Sequence, residues 1–151
     1  MLFRSGWNIF HAESGGYIIS LPAQGRVADH WYEGTADAVF QNIYTIQQES
    51  PSSILVLSGD HVYQADYRKI IEFSIVKKAE AMILTKTVPR AEAGRFGVIG
   101  VDRDRRITDF LEKPASPPGL PWDKQSSLIS MGVYLFRTSS LIQAQIGRAH
   151  V

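Results

Sequence analysis

Ile54-Leu55-Val56-Leu57-Ser58-Gly59-Asp60-His61 is the stretch that decides the fold. Four apolar residues run without the polar–apolar alternation of a half-wetted sheet. This predicts a strand covered on both faces, as the central strands of parallel sheets are. Ser58 and Gly59 stop the run. Asp60 is therefore expected at the carboxyl edge of the sheet, where ligands of open α/β sheets bind.

Upstream, Thr35 is suited to cap a helix with Asp37 in its first turn, where negative charge is favourable. Val39, Phe40, Ile43 and Ile46 follow at helical spacing, and Glu49-Ser50-Pro51-Ser52-Ser53 closes the segment. Downstream, Asp66 is placed to cap a second helix. Its predicted inner face is Tyr67, Ile70, Ile71, Ser74 and Ile75, and Lys77-Lys78 stand in its last turn. Ala81 to Thr85 reads as another buried strand. Helix, strand, helix, strand in this order predicts an α/β domain with right-handed crossovers.

Beyond Pro89 the pattern changes. Phe96 to Val101 and Arg106 to Glu112 read as a hairpin joined by the charged turn Asp102-Arg103-Asp104-Arg105-Arg106. Ala115 to Trp122, with Pro114 at its head, is rich in proline and predicts an extended loop. Ser130 to Phe136 predicts a strand apolar on both sides, with Met131, Val133 and Leu135 opposed to Gly132, Tyr134 and Phe136. A further helix opens at Ser139. The chain reads as one partial domain over 1–145, incomplete at both ends, and 146–151 reads as a non-native tail.

Bulk properties narrow the function. The 151 residues are 44% hydrophobic and 21% charged, with a net charge of +1, ordinary for one globular domain. Basic residues are not clustered, so no nucleic-acid partner is expected. The absence of cysteine excludes disulfides and thiolate metal sites. No apolar run approaches a membrane span and no signal-peptide pattern opens the chain, so a cytoplasmic protein without a membrane partner is expected.

Several residues suit an anionic, metal-bound ligand. The Asp60 carboxylate is a hard oxygen ligand of the kind that takes Mg²⁺ together with substrate phosphates. It equally suits a cap on the next element, and position alone does not separate the two. Gly34-Thr35-Ala36-Asp37-Ala38 offers a close backbone approach and free helix N–H groups, or simply a helix cap. Glu112-Lys113-Pro114 ends a strand, and the proline stops the ladder there. The carboxylate can accept from sugar hydroxyls and the ammonium can neutralise a phosphate; the alternative is a surface ion pair. Gly94, Gly97 and Gly100 mimic a dinucleotide motif but lack the surrounding strand–turn–helix.

Six segments taken together resemble one family. Gly6-Trp7-Asn8-Ile9-Phe10, Trp31-Tyr32-Glu33-Gly34-Thr35-Ala36-Asp37-Ala38 and Leu57-Ser58-Gly59-Asp60-His61-Val62-Tyr63 are the first three. Phe96-Gly97-Val98, Phe110-Leu111-Glu112-Lys113-Pro114 and Ser130-Met131-Gly132-Val133-Tyr134 follow. In order and interval they are similar to bacterial glucose-1-phosphate adenylyltransferases, of the sugar nucleotidyltransferase family. The resemblance runs from about Gly6 to Leu141.

It implies a Rossmann-like nucleotide-diphospho-sugar transferase domain with a mixed sheet. It also implies a reaction of ATP with α-D-glucose 1-phosphate that gives ADP-glucose and pyrophosphate for glycogen or starch synthesis. By the same resemblance, Asp60 would hold Mg²⁺ and act in catalysis with Lys113. Tyr32, Gly97, Glu112, Lys113 and Ser130 would bind glucose 1-phosphate, and Gly34 and Thr35 would border the nucleotide base. The full-length parent would be a homotetramer. The family's glycine-rich phosphate loop has no match in Met1 to Ser20, so the chain by itself is expected to be inactive. A non-catalytic regulatory subunit, or a sister enzyme using UTP, dTTP or GTP, are the alternatives.

Overall fold

The computed structural model describes residues 21, 32, 34–59 and 64–148, with side chains through residue 144. The chain forms two compact units, Met1–Ser50 and Pro51–Val151.

In the first unit the single predicted helix is two, α1 (Thr35–Gln41) and α2 (Ile43–Glu49), broken at Asn42. The break has a visible competitor: the Asn42 side-chain amide donates to the Ala38 carbonyl at 2.8 Å, the local bonding by which asparagine disfavours helix interiors. Thr35 is the first helical residue, and Gly34 takes the capping place without a side-chain bond. Ser50 then ends α2 in the left-handed conformation, a usual C-terminal stop.

The second unit holds a five-stranded sheet. Its elements are β1 (Ser53–Val56), α3 (Tyr67–Lys77), β2 (Ala81–Pro89), α4 (Arg90–Ala93), β3 (Gly97–Val101), β4 (Ile107–Glu112), β5 (Ser126–Arg137) and α5 (Thr138–Arg148). Every described ladder is antiparallel: β5 pairs with β1, β2 and β3, and β3 pairs with β4. The expected parallel neighbours β1 and β2 do run in the same direction, because each is antiparallel to β5. They are not hydrogen-bonded to each other, because β5 lies between them. β1 stands at the end of the strand order, and Ile54, Leu55 and Val56 are half-buried rather than enclosed. An apolar run predicts covered faces; it does not say which strand supplies the ladder.

The core lies on one face of β5. Ser127, Ile129, Val133 and Leu135 are all buried, and Ile129 packs with Val98, Ala93 and the half-buried Val88. Burial of such aliphatic side chains contributes roughly 1.5–3 kcal/mol each. The predicted hairpin is present. Its charged turn is closed by the Asp102 carboxylate, which accepts from the amides of Asp104 and Arg106 at 2.9 and 2.8 Å.

α3 starts and stops where expected, but its buried face is narrower. Tyr67, Ile70 and Ser74 are half-buried, whereas Ile71 and Ile75 are exposed. The Asp66 carboxylate accepts from the Arg68 amide at 3.2 Å, so the cap matters to a helix that buries no residue fully. Asp66→Ala is expected to cost about 1 kcal/mol locally. Amide exchange in the first turn of α3 should then quicken about fivefold; unchanged exchange would show that the cap is idle.

Candidate active site

β5 has two edges and three partners. β2 pairs with β5 residues 126–130 and 133–136, overlapping the segment used by β1 (134–137) and the segment used by β3 (128 and 129). A strand residue has only two edges, so β1 and β3 must share the edge opposite β2, one at each end. Between Ile129 and Tyr134, residues 130–133 have no described strand partner on that edge. β1 approaches this gap with its carboxyl end, since Val56 is the residue opposite Tyr134.

The gap coincides with an irregularity in β5 itself. Thr85 pairs with Ser130 and the next residue, Leu84, pairs with Val133, so Met131 and Gly132 are extra. Gly132 takes φ 69°, a left-handed value that only glycine adopts cheaply. The bulge adds two residues rather than one, so the alternation survives it and Val133 and Leu135 return to the buried face. Bulges of this kind re-aim side chains and are frequent beside active sites. The expected strand from Ser130 is thus longer, starts at Ser126 and is broken at its most interesting point.

Four predicted site residues meet at this gap. Val98 is opposite Ile129, so Gly97 and Ser130, one step further along each strand, share the other face of the sheet. Glu112 is opposite Gly97 and shares that face too. A Cβ on Gly97 would stand 3.0 Å from Phe110 Cζ and 3.3 Å from Glu112 Oε2; the missing side chain is what lets Glu112 and Phe110 lie across β3. Lys113 Nζ is 3.7 Å from Glu112 Oε1, with both side chains about two-thirds exposed. The surface ion pair of the alternative reading therefore does form, and it forms on the rim of the gap. Lys113 holds φ 44°, anchored by its amide to the Phe96 carbonyl at 3.1 Å.

The other predicted residues lie elsewhere. Tyr32, Gly34 and Thr35 belong to the first unit, where the Tyr32 hydroxyl accepts from the Asn42 amide at 3.0 Å. Asp60 and His61 lie outside the described residues. Two surface grooves in the second unit involve none of the four residues at the gap. One, of about 430 Å³, is lined by Arg103, Arg105, Pro121 and Trp122. The other, of about 360 Å³, runs along Ile70 and Phe73 of α3 and Met82 and Leu84 of β2, where α3 packs loosely. No helix among the described residues is long and apolar enough to cross a membrane.

A protein-family model described as Nucleotidyl transferase matches residues 13–149. The chain belongs to the nucleotidyl transferase family. It is 44% identical over 143 residues to glucose-1-phosphate adenylyltransferase 2 of Vibrio vulnificus (strain YJ016), which covers 95% of this chain and 35% of that protein. It is 47% identical over 140 residues to glucose-1-phosphate adenylyltransferase of Rhodopseudomonas palustris (strain TIE-1), covering 92% and 33%. It is 49% identical over 134 residues to the protein of that name from Cereibacter sphaeroides (strain ATCC 17029 / ATH 2.4.9), covering 88% and 32%. The chain thus spans about a third of the length of these curated relatives.

In this nucleotidyl transferase chain, the sequence motifs put Gly97, Glu112, Lys113 and Ser130 forward as candidate site residues and single out neither Gly132 nor Tyr134, which stand beside them at the bulge. In the sequence both read as ordinary strand positions. The available signal was Gly132 itself, since glycine inside a strand often marks a bulge.

Proposed function

We propose that the full-length protein carrying this chain joins ATP and α-D-glucose 1-phosphate to give ADP-glucose and pyrophosphate. The observation that carries the reading is the meeting of Gly97, Glu112 and Ser130 on one sheet face, with Lys113 paired to Glu112, beside a gap that β1 approaches with its carboxyl end. A cation, a carboxylate and a hydroxyl beside a gap in the sheet suit a phosphorylated sugar: the ammonium neutralises phosphate and the carboxylate accepts from sugar hydroxyls. The names of the similar proteins support this choice of sugar and nucleotide.

In the reaction an oxygen of the sugar phosphate bonds to the α-phosphorus of ATP as the bond to the leaving pyrophosphate breaks. The protein's part is to position the two substrates and to stabilise charge. Lys113 neutralises the sugar phosphate, Glu112 accepts from sugar hydroxyls, Ser130 binds the same substrate through its hydroxyl, and Gly97 admits the ligand to the backbone. The family resemblance assigns Tyr32 to glucose 1-phosphate and Gly34 and Thr35 to the border of the base.

Among the described residues no three or more His, Asp or Glu side chains gather as a metal cage, and Glu112 is already engaged with Lys113. A Mg²⁺ ion held through one carboxylate and the substrate phosphates needs no cage, and Asp60, which follows β1, suits that part. When bound, such an ion supplies charge neutralisation at the phosphates. Residence in the cytoplasm and a homotetrameric parent belong to the same reading and rest on the family resemblance.

A nucleotide panel tests the proposal. The full-length protein with glucose 1-phosphate is expected to release pyrophosphate and form a sugar nucleotide with ATP, at least tenfold faster than with UTP, dTTP or GTP. Preference for another nucleotide would make it a sister enzyme. Binding of both substrates without turnover would make it a regulatory subunit.

A further inference from the structure

Two closed turns border the groove of about 430 Å³, which is lined by Arg103, Arg105, Pro121 and Trp122. In the hairpin turn the Asp102 carboxylate is taken up by the amides of Asp104 and Arg106. In the proline loop the Asp123 carboxylate accepts from the Gln125 amide at 3.0 Å. The acids beside the groove are thus spent on their own turns, and Asp104 does not line it. Among the described residues neither arginine side chain has a hydrogen-bond or ion-pair partner. The groove is left with two cations and no anion.

The two turns also fix what they present. Trp122 is 53% exposed, in a turn closed by the Asp123 amide on the Leu120 carbonyl. Cations stack on Phe73 and Phe96, but neither groove arginine covers the indole. Arg105 holds φ 63°, a left-handed value that glycine would adopt more cheaply. It also borders the groove along α3. This is not the candidate active site: Gly97 and Glu112 pair at the open end of the β3–β4 hairpin, and the arginines stand in its turn, beyond Val101 and Ile107.

We propose that this groove is a second binding site, for a small phosphate monoester carried on a flat ring. The ring lies on the Trp122 indole and the phosphate between Arg103 and Arg105. A guanidinium is always charged, weakly hydrated and shaped to fit phosphate oxygens, and two of them match an ester that carries nearly two negative charges at neutral pH. An uncovered indole takes a flat ring by stacking. A bare anion would leave the indole idle, and an uncharged ring would leave both cations idle. The volume falls within the usual range of small-molecule sites, about 300–1,000 Å³.

The test uses the full-length protein labelled with fluorotryptophan, in which the Trp122 fluorine resonance is identified by its loss in Trp122→Phe. Phenyl phosphate should shift this resonance saturably. Phenol and inorganic phosphate, each carrying half of the ligand's chemistry, should need roughly tenfold higher concentrations or more. In the Arg103→Gln, Arg105→Gln double variant the half-saturating concentration of phenyl phosphate should rise about tenfold or more, with the melting temperature unchanged because both side chains are exposed and unpaired. Lys113→Gln should leave the titration as it is, so the outcome is independent of the sugar-phosphate reading. The absence of a saturable shift, an equal response to phenol, or an unaltered double variant would each overturn the site. A titration weakened by Lys113→Gln would overturn it too, by moving the binding to the gap in the sheet.

Discussion

Lys113→Gln in the full-length protein is expected to raise the KM for glucose 1-phosphate by roughly ten- to a hundredfold, the range given by losing one charged hydrogen bond of about 1.5–3 kcal/mol. Stability should hardly move. The Glu112–Lys113 pair is 3.7 Å long between largely exposed side chains, and pairs of that kind contribute about 0–1 kcal/mol. The backbone gives a sharper form of the test. At φ 44° a residue with a side chain carries a cost of about 1–2 kcal/mol that glycine escapes, against about 0.5–1 kcal/mol for the greater freedom glycine loses on folding. Lys113→Gly is therefore expected to leave the melting temperature unchanged or slightly raised while losing the same affinity as Lys113→Gln. A residue kept for the fold would behave in the opposite way. Strain retained at an exposed charged position is what a binding role predicts. A normal KM in either variant would remove Lys113 from the site.

What could be read from the sequence divides along physical lines. Local signals were legible where they act locally: Asp66 caps α3, the Asp102 turn closes the hairpin, and the ladder of β4 ends at Glu112 ahead of Pro114. Pairing was not legible. The run Ile54 to Leu57 says that faces are to be covered, and it is silent on β5, more than seventy residues on in the chain, entering between β1 and β2. Register was hidden for a related reason. A two-residue bulge preserves the period of two, so Ile129 and Val133 keep the same face and the alternation gives no sign of the interruption. The predicted face of α3 is too wide: five residues at helical spacing span more arc than is covered, leaving Ile71 and Ile75 outside.

The site divides in the same way. Gly97, Glu112 and Ser130 came from short motifs, and two ladders bring them to one face. Tyr32, Gly34 and Thr35 are organised within the first unit, and Asp60 lies outside the described residues. The Tyr134 hydroxyl had no sequence signal of its own, since its meeting with Ser130 depends on the left-handed turn at Gly132.

Gly119→Ala is expected to destabilise the fold by about 2–4 kcal/mol, lowering the melting temperature of the full-length protein by roughly 5–10 °C. A Cβ at this position would stand 2.6 Å from the Lys124 carbonyl oxygen and 2.9 Å from Lys124 Cα. These are backbone atoms, so no side-chain rotation can make room. The backbone there has little freedom to yield. The Leu120 amide donates to the Ser126 carbonyl at 2.9 Å, and the amides of Asp123 and Ser126 donate to Leu120 and Asp123 carbonyls. The Ser127 hydroxyl, on a fully buried residue, donates to the Pro118 carbonyl at 2.7 Å. Arg90 ties the loop to α4 through its amide to Gln125 and its Nε to Pro117. What reads in sequence as an extended proline loop is thus a closed brace on the start of β5, and moving Lys124 displaces the strand that leads to Ser130.

The same brace should carry a weak acid sensitivity. The Ser126 side chain, and then the Gln125 amide, hold the Asp123 carboxyl below its ordinary 3.8. Its contribution is complete above the unfolded value and is lost as pH falls through the lower folded one. Gly59→Ala provides the contrast, since among the described residues nothing lies within 4 Å of its Cβ position and a change within about 0.5 kcal/mol is expected. Equal melting temperatures for the two variants would show that the loop is slack and that Gly119 is dispensable.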